Sequence, residues 1–366
     1  MSRKHFFAFL IVVLILSTFA MPALAAPAGQ AANPVQAAAE KYFSGGTKNI
    51  KASDLFATLN DGDTSNDPMI IDIRKAEDFA NGHIPGAVNM NAATLFTPAE
   101  LAKLPKDQPI VVNCYTGQTS SQTVAGLRML GYDAYSLLYG IPSWGVNDKI
   151  KYLFLASQSG GYAVSKEPAQ FEGEYAAPAP LAPTVAAAAE KYYSGGFKAT
   201  KAADVFANLN DGDDSNNPVI LDMRSPEDYA LGHIPGAINV GAKDLFKAAT
   251  LAKLPADRQI VAYCYSGQTA SQATAALRML GYDAYNMQFG MPAWAIIEGV
   301  STGVWDDSKS GNYTLEGAAA PAAAAAPAAA VAAATPAALP VTGAPVVSLL
   351  ALGLLLAGAG AALRRR

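Results

Sequence analysis

Ile110-Val111-Val112-Asn113-Cys114-Tyr115-Thr116-Gly117-Gln118-Thr119-Ser120-Ser121-Gln122 decides the fold. β-branched residues run into a cysteine, a short Gly-containing loop opens, and hydroxyl residues lead to a helical pattern from Val124. A strand, a tight loop and a helix start follow from that order. In this geometry loop amides and the positive end of the helix dipole converge above the sulfur, favouring a thiolate and an anion bound to it. The device returns as Ile260-Val261-Ala262-Tyr263-Cys264-Tyr265-Ser266-Gly267-Gln268-Thr269-Ala270-Ser271-Gln272, and the chain has 2 cysteines in all.

Outward from these stretches one offset holds. Glu40-Lys41-Tyr42 matches Glu190-Lys191-Tyr192, His83 matches His233, Cys114 matches Cys264, and Leu127 to Tyr132 matches Leu277 to Tyr282. Two copies of one domain, not a solenoid of short repeats, account for this. Within a copy, Ala52 to Leu59 has helical spacing, Met69 to Ile73 reads as a buried strand, and Val88-Asn89-Met90 as a short one. Leu95 to Leu104 is helical in part; Ala134 to Tyr139 is a further strand, followed by a helical stretch around Trp144. Apolar strands separated by short helices require an α/β fold: in each copy, a mostly parallel sheet flanked by helices on both faces. The ligand crevice then lies at the strands' carboxyl ends, where the cysteines are.

The expected division is domain 1 over 36–160, a Pro-containing linker over 161–187, domain 2 over 188–314 and an Ala/Pro-rich spacer over 317–338. The chain is 51% hydrophobic and 15% charged, and much of the apolar excess lies at its ends. Residues 1–25 read as a signal peptide: a basic start, an apolar run from Phe6, and Ala23-Leu24-Ala25 for cleavage. Residues 339–366 combine Leu339-Pro340-Val341-Thr342-Gly343, an apolar segment over 344–363 and Arg364-Arg365-Arg366. That order resembles the cell-wall sorting signals of bacterial surface proteins. The resemblance implies cleavage by a sortase between Thr342 and Gly343, with membrane anchoring through the apolar segment if the signal is not processed. The expected location is the cell surface. A net charge of −4 with no basic cluster outside the termini argues against nucleic acid.

Ile71-Asp72-Ile73-Arg74, Glu77-Asp78-Phe79, Gly82-His83-Ile84-Pro85-Gly86-Ala87, Cys114 with Gly117, and Gly131-Tyr132 together resemble the rhodanese (sulfurtransferase) superfamily. The second copy repeats the pattern with Leu221-Asp222-Met223-Arg224, Gly232 to Ala237, Cys264, Gly267 and Gly281-Tyr282. The resemblance implies that Cys114 and Cys264 take a sulfane sulfur from a donor such as thiosulfate and pass it to a thiophile by double displacement. Loop residues Tyr115, Thr116, Gly117, Gln118 and Thr119, with Tyr265, Ser266, Gly267, Gln268 and Thr269, would bind the substrate; no cofactor and no metal is implied. Thr119 and Thr269 close the loops as in tandem sulfurtransferases, where many single-domain members have arginine. The loops carry no cationic side chain for a dianion such as thiosulfate. A loop this short without a guanidinium weighs against a cysteine phosphatase. The sulfurs are expected ionised and open to solvent at the mouths of twin pockets.

Other residues have simpler readings. His83 and His233 sit in turns where a structural hydrogen bond suffices, Asp72–Arg74 and Asp222–Arg224 read as buried ion pairs, and Trp144 and Trp294 as core. Asp61-Gly62-Asp63 and Asp211-Gly212-Asp213 read as turns, lacking the Gly and Glu of a calcium loop. A disulfide would need the two cysteine loops to meet. The rival functional reading is a catalytically silent scaffold that binds a partner or senses thiol or sulfide.

Overall fold

The computed structural model describes residues 33–300 and 302–317. The expected signal peptide, the spacer beyond residue 317 and the sorting signal with Thr342 and Gly343 lie outside the described residues. Among the described residues, no helix is long and apolar enough to cross a membrane.

The first copy runs α1 (Pro34–Ser44), β1 (Asn49–Ile50), α2 (Ala52–Leu59), β2 (Met69–Asp72), α3 (Ala76–Ala80), β3 (Val88–Asn89), α4 (Pro98–Leu101), β4 (Ile110–Asn113), α5 (Gln118–Met129), β5 (Ala134–Leu137) and α6 (Ile141–Trp144). The second runs α7 (Val185–Ser194), β6 (Ala199–Thr200), α8 (Ala202–Leu209), β7 (Val219–Asp222), α9 (Pro226–Leu231), β8 (Ile238–Asn239), α10 (Ala242–Leu245), α11 (Ala248–Leu251), β9 (Ile260–Tyr263), α12 (Gln268–Met279), β10 (Ala284–Met287) and α13 (Met291–Trp294). Each copy forms a five-stranded parallel sheet, in the orders β1-β5-β4-β2-β3 and β6-β10-β9-β7-β8. The β-branched run Ile110-Val111-Val112 is central because every residue of β4 is buried, which only a strand covered on both faces requires. Register pairs such as Ile71↔Val112 and Ile110↔Ala134 bring Cys114 to the carboxyl end of that strand.

The copies share one core. Phe43 stacks on Phe246 with ring centroids 4.1 Å apart, Phe96 stacks on Tyr193 at 3.8 Å, and α5 lies along α12. Polar groups buried in this seam find partners across it: the Tyr42 hydroxyl donates to Gln272 and the Tyr192 hydroxyl to Gln122.

Residues 161–187, expected as a spacer between the copies, begin as a strap on the second one. Tyr162 stacks on Phe206 at 4.1 Å, the Trp294 indole donates to the Ala163 carbonyl at 2.9 Å, and Ser165 exchanges backbone hydrogen bonds with His233. The segment after α13 crosses the other way: Tyr313 stacks on Phe56 at 4.0 Å, Trp144 donates to the Thr314 carbonyl at 2.9 Å, and Glu316 pairs with His83. Each copy is closed by the tail of the other. Trp144 and Trp294 are buried, and their indole N–H groups need an acceptor that the strap backbone provides.

Candidate active site

The site begins at Gly117. Its φ of +82° places it in the left-handed region, which turns the chain sharply from the cysteine into α5, and Gly267 does the same at +85° before α12. The helix therefore starts at Gln118, six residues before the apolar pattern shows it, because its first turn is polar yet buried against the other copy. The Gly117 and Ser120 amides lie 3.2 and 3.3 Å from the Cys114 sulfur. Gly140, at φ +69°, passes so close that a Cβ there would meet the Cys114 carbonyl at 2.4 Å, and the next amide, Ile141, donates to that carbonyl at 2.9 Å. Around Cys264, burial pushes the thiol pKa up, while the amides of Ala270, Ser266, Gly267 and Thr269 pull it down by less.

Against the expectation of open sulfurs, Cys114 is 1% exposed and Cys264 2% exposed, and both are free thiols. Tyr139, Tyr152 and Trp305 form a buried aromatic cluster with Phe289 and Phe154 packed against it. Tyr152 stands near enough to both sulfurs that either, once ionised, raises its pKa; its phenol is held well above the ordinary range, chiefly by burial. The open twin pockets of the sequence reading are thus not found: both sulfurs are buried, and Tyr152 of this aromatic cluster is within electrostatic reach of each. The cover was not foreseeable, because Tyr152 and Trp305 follow the last helix of their copies and carry no periodic signal.

The remaining loop residues divide. Gln118 and Gln268, expected to bind substrate, reach across the interface instead. The Gln268 side chain accepts from the Tyr139 amide at 2.9 Å and donates to the Gly117 carbonyl at 3.3 Å, while Gln118 accepts from the Phe289 amide at 3.0 Å and Asn286 at 2.9 Å. Tyr115 and Tyr265 also turn from the sulfurs: their hydroxyls donate to Asp78 and Asp228 and accept the amides of Lys75 and Ser225, both at 3.2 Å. These two loop tyrosines brace the helices beside the loops; Tyr115 also lines a surface cleft of about 420 Å³ with Arg74, Lys75 and Lys149. Thr116 accepts from the Gln118 side chain at 3.3 Å, and Thr119 accepts from Thr123 through its carbonyl. Ser266 and Thr269 reach their cysteine through the backbone amides already named.

Two buried ion pairs support the loops from below. Arg74 binds Asp72 at 2.7 Å and the Gly82 carbonyl at 2.7 Å; Arg224 binds Asp222 at 2.6 Å and the Gly232 carbonyl at 2.7 Å. His83 and His233 stack on Phe79 and Tyr229 at 3.7 Å, each with Nδ1 2.9 Å from the carbonyl of that same residue, which makes them structural. The Asp61 and Asp63 carboxylates accept from Asn66 and Ser65 within their own turn. Among the described residues, no cluster of His, Cys, Asp and Glu is placed to hold a metal ion. Sequence reasoning passed over Ser120, which meets the Cys114 sulfur, and Ser136 behind it; the signal was their replacement by Ala270 and Asn286 at the same offset.

The rhodanese-like domain family matches residues 52–147 and again 202–296, together just over half of the chain. The thiosulfate sulfurtransferase GlpE of Stutzerimonas stutzeri is 38% identical over 77 residues, covering 21% of this chain and 69% of that protein. The probable adenylyltransferase/sulfurtransferase MoeZ of Mycobacterium tuberculosis is 36% identical over 84 residues, which is 23% of this chain and 21% of that relative's length. Among solved structures, a rhodanese-like domain protein from Staphylococcus aureus shares 27% identity at a TM-score of 0.25, covering 28% of this chain and 95% of its own. With two matched segments, each containing one strand–cysteine–loop–helix unit, the chain belongs to the rhodanese-like family and carries that domain twice.

Proposed function

We propose that this protein is a sulfurtransferase that carries a sulfane sulfur as a cysteine persulfide. The supporting observation is the Cys114 cradle: two amides within 3.3 Å of the sulfur, at the start of a twelve-residue helix. The thiolate attacks the outer sulfur of the donor and a new S–S bond forms. The donor's own bond to that sulfur breaks, and the leaving group, sulfite in the case of thiosulfate, departs with the electron pair. A thiophile such as cyanide then attacks the terminal sulfur and restores the thiolate. The chain's backbone dipoles hold the negative charge in both states.

The donor is a small sulfur compound and the acceptor a small thiophile, and both reach the buried sulfurs when the aromatic cover parts. Export and surface anchoring belong to the same proposal and rest on the terminal sequence patterns, with a sortase and the cell envelope as partners. Thiocyanate production from thiosulfate and cyanide tests the activity: turnover that disappears in the Cys114→Ser/Cys264→Ser variant supports it, and no turnover with thiosulfate or inorganic polysulfide overturns it. One observation favours a second reading, a silent binding or sensing scaffold: both sulfurs are almost fully buried.

A further inference from the structure

The two cysteine sites are alike in backbone but differ in hydroxyl content. Positions 120 and 136 are serine in the first copy; at the same offset the second has Ala270 and Asn286. Ser121 donates to Ser136 at 3.0 Å, the Ser136 and Ser120 hydroxyl oxygens lie 2.8 Å apart, and Ser120 Oγ lies 3.3 Å from the Cys114 sulfur. All three serines are 0% exposed, sealed from bulk water.

Each hydroxyl has one proton, and the chain has two consistent settings. With a neutral thiol, S–H donates to Ser120, which turns its own proton to the Gly117 carbonyl at 3.1 Å. With an ionised sulfur, Ser120 donates to sulfur, Ser136 to Ser120 and Ser121 to Ser136. Every dipole then points at the charge, and serial hydroxyls strengthen one another. The second copy has a methyl group at the first of these positions. Asn286 is engaged across the interface with Gln118, and the Ser271 hydroxyl has no partner among the described residues.

We propose that Cys114 is the sulfur acceptor that turns over, with Ser120 as a catalytic residue holding its thiolate and persulfide, and Ser136 and Ser121 as positioning residues behind it. Cys264 is the slower or silent member. The inference rests on the sulfurtransferase reading and names the working site within it. The titratable groups facing the sulfurs from the covering segments are Tyr139, toward Cys264, and Tyr152, toward both; burial holds both phenols above their ordinary range, Tyr139 at about 12, so they stay neutral while the thiols titrate.

The test uses the full chain, with iodoacetamide alkylation of each cysteine followed by peptide mass mapping across pH, and sulfur loading from thiosulfate read in parallel. Access changes the rate of alkylation but not its pH midpoint. The expected midpoint for Cys114 lies below that of Cys264 by about one pH unit or more. Ser120→Ala should raise the Cys114 midpoint, slowing its alkylation near neutral pH by about tenfold, and Ala270→Ser should lower the Cys264 midpoint. Sulfur gain on Cys114 first, with these shifts, supports the proposal. Sulfur gain with coincident midpoints, or with a Cys114 profile that ignores Ser120→Ala while Cys264 ignores Ala270→Ser, overturns it and leaves the sulfurtransferase reading standing. No sulfur gain on either cysteine overturns both.

Discussion

A thiolate removed from water persists only where fixed donors replace the lost hydration. At Cys264 those donors are amides alone, and burial outweighs them, so its pKa is raised in the folded protein. The sign follows from linkage. Below about pH 8.5, the ordinary thiol value, the group is neutral in both states and its contribution to stability is complete. As pH rises from there through the folded pKa, the unfolded chain releases the proton first and that contribution is lost. Cys264→Ala should therefore flatten the fall of the urea midpoint on the alkaline side; an alkaline slope equal to that of the parent would contradict the assignment. Gly117 offers a second prediction. Its φ of +82° resembles that of Gly86 at +77°, but a Cβ at Gly117 would lie 2.4 Å from the Gln268 side chain, whereas one at Gly86 meets open space. Gly86→Ala should cost about 1 kcal/mol for backbone strain alone, and Gly117→Ala about 2–4 kcal/mol by thermal unfolding. Equal losses would remove the case for a tight interlock between the two loops.

At the level of elements, α5 is the unusual piece: a helix rich in Gln, Ser and Thr that is buried along nearly its whole length. Hydrophobic periodicity showed the strand before it and the cysteine at its mouth, since β4 is buried on both faces and β-branched. It could not show that the helix begins at Gln118, because a polar first turn reads as loop unless the opposite surface is known. For the same reason the glutamines read as substrate ligands: an amide side chain that will be claimed by another copy's backbone looks like one free to bind a ligand. Gly126 illustrates the packing of this element. A Cβ there would lie 2.7 Å from both Phe96 and Tyr193, and its amide donates to the Tyr193 hydroxyl at 3.2 Å. The counterparts of Gly126 and Tyr193 are Ala276 and Phe43, so where the ring lacks a hydroxyl the helix carries a methyl. Gly126→Ala should destabilise by about 1–3 kcal/mol despite its better helix propensity, and combining it with Tyr193→Phe should recover part of the loss. Failure of the double variant to recover any of it would count against this pairing.

In the whole molecule the tails are exchanged. Each copy's tryptophan is capped by a carbonyl from the other copy's trailing segment, so the two sheets are expected to unfold together. The duplication was legible from the constant offset, but the exchange was not, because a Pro-containing stretch with a few aromatics carries no address for the surface it will cover. Tyr313→Ala, which removes the stack on Phe56 and the edge contact with Trp144, should cost about 2 kcal/mol. It should lower the midpoint of a single transition seen by Trp144 and Trp294 alike. Two separated transitions would instead mean that each copy is stable alone.

The burial of both sulfurs makes sulfur capture the decisive question. Intact mass measured after a single-turnover incubation of the full chain with thiosulfate or inorganic polysulfide, without an acceptor, should show a gain of one sulfur that reductant removes and that Cys114→Ser abolishes at neutral pH. A mass unchanged with either donor, on protein whose thiols still react after denaturation, would contradict the account at its centre.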